Sequence, residues 1–136
     1  MDNDQIGERL GRLDVPETIL VVEDSETVRG LVCEILTRAG YGILSADGPE
    51  EALSTCEVCG HAIDLLVTDI MMPGMTGLEL SSRLSERFPR MRVLFISGYT
   101  GETVLEEGML DERSAFLQKP FSPDALVSAV RSVLDE

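Results

Sequence analysis

The sequence predicts an α/β fold, a doubly wound arrangement of five strand-then-helix repeats, (βα)5, around a parallel sheet. Three observations lead there. Short continuous apolar runs recur, at Ile19-Leu20-Val21-Val22, Ile63 to Thr68, Val93-Leu94-Phe95-Ile96 and Ala115 to Gln118, as expected of strands covered on both faces. Between them lie segments whose apolar residues follow helical spacing. The 136 residues, 43% of them hydrophobic, fit one domain with an ample core. Strands alternating with helices mean parallel pairing, because each right-handed crossover returns the chain to the same edge.

The elements follow in order. After Ile19 to Val22, Ser25-Glu26 opens a helix with Val28, Leu31, Val32, Ile35, Leu36 and Ala39 at helical spacing, stopped by Gly40. Tyr41 to Ala46 is the second strand, and Gly48-Pro49-Glu50 starts the second helix with Pro at its first position. The third strand closes at Asp69. Thr76-Gly77-Leu78-Glu79 reads as a capping box for a third helix carrying Leu78, Leu80, Leu84 and Phe88, ended by Pro89. Val93 to Ile96 is the fourth strand, and Gly98-Tyr99-Thr100-Gly101 is a loop into a short, weak fourth helix around Glu102 to Glu107. Ala115 to Gln118 is the fifth strand. Ser122-Pro123-Asp124 supplies an N-cap, a first-position Pro and a first-turn acid for a fifth helix with Leu126, Val127, Val130, Val133 and Leu134.

Charge narrows the class of partner. A formal net charge of −14, from 25 acidic against 11 basic residues, argues against nucleic acid or an anionic membrane, both of which bind through clustered Lys and Arg. A basic partner surface or a metal cation fits better. No run approaches the roughly 20 apolar residues of a membrane span, and the N-terminus lacks a basic segment followed by an apolar one, so the chain reads as cytoplasmic. Three cysteines imply no disulfide framework, Cys33 reading as a free thiol in a helix. Cys56-Glu57-Val58-Cys59, followed by Gly60-His61, reads as a plain helix end, with a metal or redox role as the alternative. His61 reads as a loop histidine.

The polar residues that close the strands carry the chemistry. Ligands of parallel α/β sheets bind beyond the carboxyl ends of the strands, where strand order reverses. There this chain has Glu23-Asp24, Asp69, Ser97-Gly98 and Lys119-Pro120. In the order 2-1-3-4-5 the first and third strands flank the reversal, which brings the acidic pair beside Asp69. Singly, each has an ordinary explanation: acids at a helix N-terminus, a turn-capping Asp, turn residues, an exposed amine before Pro. Four such strand ends on one side of one sheet are a different matter.

Read together, Ile19-Leu20-Val21-Val22-Glu23-Asp24, Asp69-Ile70-Met71-Met72-Pro73-Gly74-Met75-Thr76-Gly77, Ser97-Gly98 and Lys119-Pro120-Phe121 resemble the receiver domain of two-component response regulators. The resemblance covers about residues 18 to 134 and implies a flavodoxin-like, three-layer fold. Leu94 to Thr100 with Phe116 to Pro123 is most similar to receivers at the C-terminus of hybrid histidine kinases. The expected domain is 18–136. Residues 1–17 are then a linker or a disordered N-terminal segment, although Ile6, Leu10 and Leu13 also match one short amphipathic helix.

The resemblance implies a phosphoacceptor that takes a phosphoryl group from the phosphohistidine of a histidine kinase or histidine phosphotransfer protein onto Asp69. It implies Mg2+ (or Mn2+) bound by Asp24, Asp69 and the backbone carbonyl of Met71, with Glu23 acting through water. Lys119 and Ser97 would stabilise the phosphoryl group, and Phe116 occupies the place of the family's switch aromatic, where its plain alternative is a core residue. Met71 and Tyr99 flank the path of the water that hydrolyses the acyl phosphate; neither acts as an acid or base near neutral pH. A homodimer through the fourth helix, fifth strand and fifth helix is a further implication. The domain itself is not expected to be an enzyme beyond assisting its own phosphorylation and dephosphorylation.

Ser97 stands where many members have Thr, with the same hydrogen-bonding capacity. Two rivals fail on single residues. A haloacid-dehalogenase-like phosphatase would carry a second Asp where this chain has Met71, and a flavodoxin-like cofactor binder would carry a Ser, Thr and Gly rich loop where it has Glu23-Asp24. A stand-alone response regulator remains the alternative to the hybrid-kinase setting.

Overall fold

Backbone pairing in the computed structural model, which describes residues 16–58, 62–98 and 114–135, yields one parallel sheet of five strands. In chain order the elements are β1 (Thr18–Val22), α1 (Glu26–Arg38), β2 (Gly42–Ala46), α2 (Pro49–Val58), β3 (Leu65–Asp69), α3 (Gly77–Arg87), β4 (Arg92–Ser97), β5 (Ser114–Gln118) and α4 (Pro123–Leu134). The strand order is 2-1-3-4-5, as expected. Four helices lie among the described residues, and α4 is the last helix of the sequence reading. The weak helix expected around Glu102 to Glu107 falls outside the described residues, as do residues 1–15 of the N-terminal segment.

Side-chain alternation along the strands sorts the core into two layers. Ile19, Val21, Leu65, Val67, Leu94 and Ile96 face Val32 and Leu36 of α1 and Leu126, Val130 and Val133 of α4. Leu20, Val22, Leu66, Val93 and Phe95 face Ala52 and Cys56 of α2 and Leu80 and Leu84 of α3. Central strands therefore read as unbroken apolar runs because both faces are covered. Each fully buried Leu, Ile or Val contributes about 1.5–3 kcal/mol.

Helix ends explain where the boundaries depart from expectation. At the end of α1, Gly40 (φ 103°) donates to the Thr37 carbonyl at 3.0 Å and Tyr41 donates to Leu36 at 3.2 Å, the two bonds of a Schellman cap. Tyr41 spends its N–H there, so β2 begins at Gly42 rather than at Tyr41. Phe88 lies just beyond α3 because Pro89 disfavours helical backbone at the residue before it. Only half of the expected capping box forms: the Thr76 hydroxyl accepts from the Glu79 N–H at 3.2 Å, while the Glu79 carboxylate turns to Arg83, also at 3.2 Å. Ser25 and Ser122 cap α1 and α4 as expected.

Candidate functional site

The strands pair with their carboxyl ends nearly level: Val22 lies opposite both Ala46 and Thr68, Asp69 opposite Ile96, and Ser97 opposite Gln118. The residues that follow each strand are therefore delivered to one edge of the sheet. Lys119 is tied to that edge by its backbone, which donates to the Ser97 carbonyl at 2.8 Å. The Lys119–Pro120 peptide is cis.

Glu23, Asp24 and Asp69 converge, with one carboxylate oxygen of each within 4.8 Å of the others. Glu23 is 1% exposed and Asp69 7%, whereas Asp24 is open to solvent. Lys119 Nζ lies 3.0 Å from Asp69 Oδ2 and 3.1 Å from Glu23 Oε1. The second Glu23 oxygen accepts the Ser25 N–H at 3.1 Å, and Asp69 Oδ1 accepts the Met71 N–H at 3.2 Å. Asp24 also borders a cavity of about 480 Å3 that reaches between Glu50 and Pro73.

Three carboxylates thus face one ammonium. Two unit charges roughly 4 Å apart repel by about 4 kcal/mol at an effective dielectric of 20. Burial, foremost, raises the Glu23 pKa above its ordinary value, and the Asp69 charge pushes the same way; the Ser25 N–H and Lys119 oppose them without cancelling. For Lys119 burial is the largest single influence and acts downward, but the hydrogen bonds and charges of Asp69 and Glu23 together outweigh it and raise the pKa. The site is short of positive charge. Its donors are all hard oxygens with one solvent-facing member, a set suited to Mg2+ and not to zinc, which favours thiolate and imidazole.

The other residues singled out by sequence are distributed around this edge. Ser97 is 2% exposed at the end of β4. Phe116 is half-buried on β5, opposite Phe95 and packed against the α2/α3 layer. Met71 is 52% exposed just past Asp69. Tyr99, Cys59 and His61 lie outside the described residues. Cys56 is buried in α2, and Cys33 is half-buried in α1 on the opposite side of the sheet, remote from the acids.

Sequence reasoning missed three supports. Arg29 in α1 donates to the Glu23 carbonyl at 2.9 Å, bracing the acidic pair. Thr68, fully buried, donates its hydroxyl to the Asp69 carbonyl at 2.9 Å. Gly77 packs so closely on that carbonyl that a Cβ there would overlap its oxygen and lie 3.1 Å from Thr68 Cγ2. An Arg in a first helical turn, a Thr in a strand and a Gly in a cap are each ordinary in sequence.

Residues 19–131 match the family model described as the response regulator receiver domain. The chain belongs to that family. Similar proteins include the sensor kinase CckA of Brucella abortus, 34% identical over 119 residues, 88% of this chain and 13% of that protein. The response regulator receiver protein CpdR of the same organism is 30% identical over 116 residues, 85% of this chain and 95% of that protein. Among solved structures, the chemotaxis protein CheY4 of Vibrio cholerae superposes with a TM-score of 0.76 at 28% identity, covering 88% of this chain and 99% of that one. The receiver domain spans less than half the length of the first three curated relatives it matches: 13%, 19% and 47%. Receiver domains are the phosphoacceptor signalling modules of two-component systems, served by histidine kinases or phosphotransfer proteins, and they bind Mg2+ at an acidic pocket. No helix among the described residues is long and apolar enough to cross a membrane.

Proposed function

We propose that this receiver domain accepts a phosphoryl group on Asp69 from the phosphohistidine of a histidine kinase or histidine phosphotransfer protein, in a Mg2+-dependent phosphorelay. The observation that carries the reading is the convergence of Asp69 with Glu23, Asp24 and Lys119 at the carboxyl edge of the sheet. One Asp69 carboxylate oxygen forms the new bond to phosphorus, the phosphorus–nitrogen bond breaks, and the imidazole leaves with the electron pair. The reaction asks for positioning and charge neutralisation rather than covalent help. Lys119, already against Asp69, exchanges a carboxylate for a phosphoryl oxygen, and the Ser97 hydroxyl donates to another.

Asp24, Asp69 and the Met71 carbonyl would hold Mg2+ (or Mn2+) directly, with Glu23 through water. The cation, when bound, neutralises charge on the transferring phosphoryl oxygens. Met71 and Tyr99 border the approach of the hydrolytic water, and Phe116 turns inward as Ser97 moves toward the phosphoryl group. The domain works in the cytoplasm without touching nucleic acid or membrane, passes its state to other proteins, and, where it forms a homodimer, does so through the fourth helix expected around Glu102 to Glu107, β5 and α4. It performs no catalysis beyond its own phosphorylation and dephosphorylation.

Two settings fit: a receiver of a hybrid histidine kinase, favoured by the likeness to CckA, since a solved receiver domain from hybrid histidine kinase CckA superposes at 34% identity, and a stand-alone regulator, favoured by CpdR, which this chain nearly spans. The test of the chemistry is transfer from a phosphohistidine donor with and without Mg2+. Asp69→Ala is expected to abolish label, and Asp24→Ala to weaken Mg2+ binding at least tenfold. Full-rate labelling of Asp69→Ala, unchanged Mg2+ affinity in Asp24→Ala, or stoichiometric zinc in the purified protein would count against the assignment.

A further inference from the structure

Across the sheet near its carboxyl edge runs a row of side chains on the α2/α3 side: Ala46, Val22, Thr68, Phe95 and Phe116, paired in that order by strand register. Thr68 interrupts an otherwise apolar row and is fully buried. For packing alone Val would serve there. The hydroxyl donates instead to the carbonyl of the next residue, Asp69, at 2.9 Å.

That carbonyl belongs to a peptide group held at both ends, since the Ile70 N–H donates to the Ile96 carbonyl at 3.3 Å. The following amide, Met71, donates at 3.2 Å to Asp69 Oδ1, leaving Oδ2 toward Lys119. The Asp69–Ile70 peptide plane therefore decides where the Met71 amide points, and that amide decides which way the carboxylate faces. Gly77 seals the far side of the carbonyl: its N–H donates to Ile70 at 2.8 Å, and there is no room for a Cβ beside the Asp69 oxygen.

We propose that Thr68 is a positioning residue for phosphoryl transfer: its hydroxyl locks the Asp69–Ile70 peptide so that the acceptor carboxylate is presented with one oxygen on the Met71 amide and the other on Lys119. The proposal rests on the reading of Asp69 as the acceptor. Without the hydroxyl a buried carbonyl is left unpaired, a state costly enough to drive rotation of the peptide. Rotation carries the Met71 amide off Oδ1 and releases the carboxylate to sample unproductive orientations.

The test compares Thr68→Val, nearly isosteric but without the hydroxyl, with Thr68→Ser, which keeps it. The probe is phosphorylation by acetyl phosphate at saturating Mg2+, which needs no protein docking. Thr68→Val is expected to lower the rate constant at saturating donor about tenfold, and Thr68→Ser to stay within about twofold of wild type. The amide resonance of Met71 should move in Thr68→Val and not in Thr68→Ser. Should Thr68→Val not fold, Thr68→Ala against Thr68→Ser makes the same comparison. Full-rate phosphorylation with an unmoved Met71 amide in the variant lacking the hydroxyl would overturn the proposal while leaving Asp69 as acceptor. Label surviving in Asp69→Ala would overturn both.

Discussion

Replacing Gly77 by Ala provides a sharp test of how the acceptor is held, because the same exchange at Gly30 should have the opposite sign. Gly30 lies inside α1, exposed, with nothing within 4 Å of a built Cβ, so Ala there gains about 0.5–1 kcal/mol from helix preference alone. Gly77 is the first residue of α3, and its Cβ would overlap the Asp69 carbonyl oxygen and lie 3.1 Å from the carbonyl carbon. The obstacle is backbone, held by the Thr68 hydroxyl and by the Ile70–Ile96 hydrogen bond, and it yields only at a cost. Overpacking typically costs about 1–3 kcal/mol, and an overlap with backbone belongs at the upper end, so after a helix-preference gain of at most about 1 the net loss is about 2 kcal/mol. For a domain of this size, at about 4 °C per kcal/mol, that is a fall in melting temperature of roughly 8 °C, against a rise of about 2–4 °C for Gly30→Ala. Relief of the overlap must part the Asp69 carbonyl from the start of α3, so phosphorylation of the folded Gly77→Ala protein should also slow. Calorimetry and acetyl phosphate labelling of the two variants read both effects. Equal melting shifts, or a Gly77→Ala protein of wild-type stability and labelling rate, would refute the steric argument.

Three further outcomes are expected. The apolar side chain of Met71, 52% exposed beside the acceptor, offers an attacking water no hydrogen bond, so Met71→Asn should shorten the life of the acyl phosphate; unchanged or slower decay in a chase experiment would contradict this. Phosphorylation should move Phe116 only partly inward, because a shift from 1:99 to 99:1 needs about 5.5 kcal/mol, more than one hydrogen bond from Ser97 supplies. Resonances of Phe116 and Phe95, followed with a phosphoryl mimic and Mg2+, should shift, and changes confined to the Asp69 loop would rule the switch out. Burial, above all, raises the Tyr41 phenol above its ordinary 10.0, with Glu17 and Asp135 adding to the rise and Arg131 opposing it. Above pH 10.0 the unfolded chain gives up this proton before the folded one does, so the protonated phenol's contribution is full below that pH and is lost as pH climbs through the folded value. Tyr41→Phe should remove that part of the alkaline loss in denaturant titrations. It should also leave stability near pH 7 undiminished, since the buried hydroxyl has no hydrogen-bond partner among the described residues; parallel pH profiles for the two proteins would contradict the argument.

The elements were legible in sequence because each is written in neighbours. Ser25, Thr76 and Ser122 cap the helices that directly follow them, and the apolar runs at Ile19, Leu65 and Val93 mark strands covered on both sides. Boundaries failed where one local demand displaced another, as at Tyr41, whose N–H closes α1, and at Phe88, displaced by Pro89. The list of residues at the strand ends was legible too, since a parallel sheet must bring them to one edge. How they engage one another was not. Lys119 divides itself between Asp69, 50 residues away, and Glu23, while Thr68 and Gly77 enclose the Asp69 carbonyl, and nothing in a Thr or a Gly announces such a partner. Periodicity and capping are short-range and repeat along the chain, so sequence alone determines them. A hydrogen bond or a missing Cβ at the acceptor depends on separations of tenths of an ångström between segments far apart in the chain, and only the packed sheet and helices set those distances.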